Sequence, residues 1–154
     1  MDAPVVVSTA GLDALRQRRT SLRAAMGVFE FALAMPASGR IPVWRDAVGR
    51  AAVEVQGQWR EHVGSTEGPD GFHAEILAAA PRLANAVERL IGDHVAVGED
   101  VALILTRVPA VQTAQDVESI RELGTDVISR LARHRQRGAD LIYEAYEYDL
   151  GGED

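Results

Sequence analysis

Leu12, Leu15, Leu22, Met26, Phe29 and Leu33 return every three or four residues through LDALRQRRTSLRAAMGVFEFALAM, the spacing that keeps one face of a helix apolar. This predicts a first helix over 12–35, closed by PASGRIP. The same period runs through Trp44, Val48, Ala51, Val55, Trp59 and His62, predicting a second helix over 43–63 that stops at Gly64. The third apolar stretch, Phe72 to Val108, would be roughly 55 Å long as one helix, too long for its neighbours. Proline is accepted in the first turn of a helix and resisted inside one, so Pro81 divides this stretch. GFHAEILAAA becomes a short connecting helix over 71–80, and 81–108 becomes the third main helix, weakened but not ended at Gly92 and Gly98. After a turn in VPAVQTAQD, a last stripe passes through Val117, Ile120, Leu123, Val127, Leu131, His134, Gly138, Leu141 and Ala145.

Four long amphipathic helices with short links fold most simply as an all-α, antiparallel up-down-up-down four-helix bundle. Only PVVVS (4–8) reads as strand, and it is too short to build a sheet. With 154 residues, 47% of them hydrophobic, the chain suits one domain with a real core, and flexible ends are expected over 1–10 and 149–154.

Charge narrows the partners. The formal net charge is -7, and all 16 basic residues are arginine. An acidic chain lacks the positive field that nucleic acid or an anionic membrane requires, so neither is expected as a partner. The basic cluster RLARHRQRG (130–138) reads as a solvated helix face, because acidic DLIYEAYEYDLGGED follows at once. No stretch is apolar enough to cross a bilayer, and the opening residues lack the form of a signal peptide, so a cytoplasmic location is expected. There is no cysteine, so any metal would be held by His, Asp and Glu, which points to iron, manganese or zinc.

The second, third and fourth main helices each carry a histidine on the apolar stripe: His62, His94 and His134. His73 lies in the connecting helix. Bundle cores assemble metal sites from such side chains. Measured from the helix ends, however, His134 stands about 10 Å and His94 about 20 Å above the end where His62 lies. A shared ion needs its ligands within about 2 to 2.5 Å, so this ruler puts the three at different levels. The other reading makes each a core histidine satisfied by a carboxylate or carbonyl, with Glu30, Glu99, Asp140 and Glu144 as candidate partners. Other templates are missing: no Glu-x-x-His pair, no His-Glu-x-x-His, no phosphate loop, no Gly-x-Ser-x-Gly elbow. Ser65, His62 and Asp70 could be drawn as a triad, but nothing orders them.

The order of these features resembles the hemerythrin-like, or HHE cation-binding, family. HVGSTE (62–67), then APRL, then DHVAVGE (93–99) follow the family's His and Glu, proline connection, and His preceded by an acid; His134 with Asp140 resembles its final His and acid. The chain departs from the pattern in four places: the first helix has no histidine, Gly98 stands where a second histidine would follow His94, and Glu67 and Asp140 are each spaced off their histidine's face. The resemblance implies a hemerythrin-like bundle whose di-iron site is reduced or lost. With a metal bound, His62, Glu67, His94 and His134 would be its ligands and Asp140 a weaker addition, serving oxygen or redox sensing or iron handling rather than turnover.

The competing reading is a metal-free helical interaction module that associates with itself or with another protein. Its candidate surface is Trp44, Trp59 and the group Tyr143, Tyr146 and Tyr148, although both tryptophans also fit the core stripe of the second helix. An enzyme built on a carboxylate and a histidine is the third reading, and no feature names a substrate for it.

Overall fold

The computed structural model describes residues 9–150, so PVVVS and the outermost ends of the chain lie outside the described residues. Five α-helices follow one another: α1 (Thr9–Ala34), α2 (Ile41–Glu67), α3 (Phe72–Ala79), α4 (Ala84–Arg107) and α5 (Ala114–Leu150). Single 3-10 turns, Pro81–Leu83 and Val108–Ala110, lead into and out of α4. The four long helices form an all-α antiparallel bundle in which α1 packs on α2 and α5, and α4 packs on the same two. No helix among the described residues is long and apolar enough to cross a membrane.

The apolar stripes become the interior. Phe29, Leu33, Trp44, Val48, Val55, Trp59, Val97, Val101, Ile104, Ile120, Val127 and Leu131 are buried in one main core. Leu12 and Leu15 lie outside the described side chains. The break between α1 and α2 turns on Gly39, whose φ of 71° is a left-handed conformation that glycine adopts without penalty. Carbonyls at the end of α1 and just past it are met from α5: Arg121 donates through Nε to Leu33 O at 2.9 Å and through Nη2 to Met35 O at 2.9 Å. Arg121 also lies over the ring of Trp44, 5.7 Å from its centroid.

Two boundaries differ from expectation. Helix α2 does not stop at Gly64 but continues to Glu67. Its last turn is held by hydroxyls, with Ser65 Oγ and Thr66 Oγ1 both donating to His62 O at 2.9 Å. The third main helix begins not at Pro81 but after the 3-10 turn, because Ala80, preceding the proline, takes a non-helical φ of -140° and ψ of 76°.

Between α2 and α3 the chain makes a tight corner. Gly71 donates its N–H to Gly68 O at 2.8 Å, and a Cβ at Gly71 would lie 2.6 Å from Thr66 O and 2.8 Å from Gly68 O. Only glycine fits there. The corner folds α3 across the end of the bundle, where Ile76, Ala80, Leu83, Val87, Leu90, Leu141 and Ala145 form a second, smaller core.

Candidate metal centre

All four histidines of the chain meet between the two cores. Along α4 the small core ends at Leu90, His94 follows, and the main core resumes at Val97. Along α5 the main core ends at Leu131, His134 follows, and the small core begins at Leu141. His62 enters from α2, and His73, second residue of α3, from below. One ring nitrogen from each of His62, His94 and His134 lies within 4.8 Å of the others.

This corrects the ruler based on helix ends, which put the three at different levels. The ends are not level: a Cβ at Gly49 would touch Val108 Cγ1 at 3.5 Å, so the exit of α4 lies two turns inside α2. From that pair, His62 and His94 are nearly equal steps down their helices. Measured from the starts of α2 and α5, His62 and His134 are nearly level as well.

Each ring is fixed by a specific neighbour. His94 Nδ1 lies 2.9 Å from Glu67 Oε1, and His134 Nδ1 lies 3.1 Å from Asp93 Oδ2. A carboxylate accepts only, so it assigns the ring proton to Nδ1 and leaves Nε2 as a bare lone pair. Asp93 is itself held by Arg137, whose Nη1 donates to both carboxylate oxygens at 2.8 and 3.0 Å. His62 Nε2 is 3.0 Å from His134 Nε2, close to the roughly 3.3 Å that separates two imidazole nitrogens on one tetrahedral zinc. His94 Nε2 is buried and has no hydrogen-bond partner. Trp59 walls the group: it stacks on His62 with centroids 5.0 Å apart and donates from Nε1 to His94 O at 3.2 Å. His73 stacks on His94 at 5.6 Å, its Nδ1 likewise buried without a partner.

Burial keeps His62, His73 and His134 neutral. His62 is pushed down to about 3, chiefly by burial and then by the neighbouring His134 and His94. His134 falls to about 4 by burial, against the pull of Asp93. His73 also falls to about 4, by burial and then by His94. Neutral imidazole is the form that binds a metal.

Of the residues singled out from sequence, His62, His94 and His134 converge, and Glu67 stands behind His94. Asp140 is elsewhere: exposed, it accepts from Gln136 Nε2 at 2.9 Å. Glu30, Glu99 and Glu144 are exposed and partner none of the four rings. Asp93 was not marked as a partner, because its place beside His94 conceals its target. Successive residues of a helix point about 100° apart, so this acid serves the histidine of the next helix instead of its neighbour in sequence. The sequence places Trp59 on an apolar stripe and His73 in the connecting helix, but not beside the other histidines, since that depends on the corner at Gly71 and on helix register. Both tryptophans are core, Trp44 at 0% and Trp59 at 3% exposure, while Tyr143 is 61% exposed; Tyr146 and Tyr148 lie outside the described side chains.

No protein-family model, curated protein or solved structure matches this chain. The hemerythrin-like resemblance therefore rests on residue order alone. The chain is a helical bundle with three converging histidines, compatible with a metal site.

Proposed function

We propose that this protein binds one divalent transition-metal ion per chain through His62, His94 and His134. The observation that carries the reading is His94 Nε2, a buried and unpartnered lone pair beside two other imidazoles, with its opposite nitrogen held by Glu67. Leaving such an acceptor unsatisfied costs about 1 to 3 kcal/mol, and a cation offsets that cost. Carboxylates behind two of the three rings are the usual outer shell of a histidine-bound metal.

The donor set favours one ion over two. Glu67 and Asp93 are occupied with ring nitrogens and are not placed to bridge a pair of irons. Three imidazoles with a fourth position left open suit zinc. Ferrous iron, which the order of residues favours through its resemblance to hemerythrin-like proteins, is the second reading; it would carry oxygen sensing or iron handling. Iron sites of that openness more often include a carboxylate ligand, and the carboxylates here lie one bond further out.

Elemental mass spectrometry with a visible spectrum on freshly purified protein tests this. About one zinc per chain is expected, lost in His94→Ala and His134→Ala variants that still unfold cooperatively. One iron with a visible band would select the second reading. No stoichiometric metal, even after incubation with zinc, would falsify both and leave a metal-free interaction module whose histidines serve packing.

A further inference from the structure

A cavity of about 100 Å³ lies beside the histidines, between α1, α2 and α5. Its walls are of two kinds: Leu22, Met26, Trp59 and Leu131 are apolar, while Arg19, Arg23 and Arg135 stand around it with His62 and His134 at its inner end. The three arginines also share a recess of about 290 Å³ on the outer side, lined with Thr20, Gln136 and Ala139 and by no carboxylate. In a chain of net charge -7, three guanidinium groups gather where none of them has an ion-pair partner among the described residues. Arg19 is the inner one. It is half-buried, a Cβ at Gly138 would meet its Nη2 at 3.5 Å, and it borders a void of about 20 Å³ shared with His62, His73 and His134. Burial, and next the charge of Arg135, lower the pKa of Arg19, so the surroundings oppose its positive charge.

We propose that this cavity is the binding site of a small organic anion, its carboxylate held by Arg19 beside His62 and His134 and its short apolar body resting on Leu22, Met26, Trp59 and Leu131. A guanidinium fork matches the two oxygens of a carboxylate. An anion there compensates the crowding of Arg19 and Arg135, which nothing in the described chain does. The body is limited by volume: a dry cavity of about 150 Å³ holds benzene, so about 100 Å³ holds a chain of about four carbons. This goes beyond the metal reading, since the arginines and the cavity carry it with or without an ion at the histidines.

Calorimetric titration of the full chain with pentanoate, acetate and 1-pentanol tests the proposal, with zinc content measured on each sample. Pentanoate should bind saturably and at least tenfold more tightly than either acetate, which lacks the body, or 1-pentanol, which lacks the charge. Arg19→Met should weaken pentanoate at least tenfold. Ala132→Leu, at an exposed position on the cavity wall, should weaken pentanoate and leave acetate unchanged. If 1-pentanol binds as well as pentanoate, or if both variants bind pentanoate as the parent does, the proposal is overturned. Zinc-loaded protein that takes no pentanoate overturns it and leaves the metal reading intact. Pentanoate binding that depends on Arg19 in protein unable to hold zinc upholds it while the metal reading falls.

Discussion

His94 shows how much one side chain's role depends on its neighbours. Its Nδ1 is fixed by Glu67 and its Nε2 is left bare, so the ring's orientation and tautomer both depend on a carboxylate five residues beyond His62 on another helix. Glu67→Gln keeps the shape but no longer dictates the tautomer, and zinc affinity should fall about 10- to 100-fold, read by competition with a chromophoric chelator. His62, His94 and His134 were legible as candidates because polar residues on apolar stripes stand out. Asp93 was not, because sequence adjacency misdirects on a helix. Gly71 is the other residue whose identity the fold dictates. A methyl group there meets backbone, which cannot rotate away as a side chain can. Gly71→Ala should therefore cost about 1 to 3 kcal/mol in urea unfolding and displace His73 with α3.

At the scale of elements, the periodicity located every helix among the described residues, and the described side chains of its stripes lie on the buried faces. What it could not supply was register. Helix ends make a ruler only if they are level, and here α5 overruns its neighbours while α4 leaves the bundle two turns short of the start of α2. The pair that reveals this, Gly49 against Val108, has no signature in either segment. The start of α5 is more local. Thr113 and Asp116 form a reciprocal cap: Asp116 N donates to Thr113 Oγ1 at 3.1 Å, and Thr113 N donates to Asp116 Oδ2 at 3.0 Å. Thr113→Ala should lower stability by about 1 kcal/mol in chemical denaturation. The backbone N–H groups of Gln112 and Thr113 hold the Asp116 carboxyl below its ordinary 3.8. A depressed carboxyl stabilises the fold above its unfolded pKa and loses that contribution as pH falls through the folded value. The difference between Thr113→Ala and the parent should thus shrink below about pH 4, as protonation removes the other half of the cap.

Across the whole molecule, the histidines form a polar layer between two apolar cores of unequal size, and the smaller is made from α3, the proline turn, the first turns of α4 and the overrun of α5. Cooperative units with fewer apolar contacts open at lower free energy than the rest. Native-state hydrogen exchange should therefore show α3 and the end of α5 exchanging before the middle of α2 and α4, with the gap closing when zinc is added. The overrun of α5 then sets a rate as well as a position. It holds α3 over the floor of the histidine layer, so an ion bound there as proposed would have two ways out, the cavity lined by Arg19, His62 and His134 and a partial opening at the α3 end that leaves the main core intact. Opening at the α3 end should add to the exchange of a bound metal. Shortening α5 after Gly138 should hasten metal release far more than it reduces the melting of the remaining bundle.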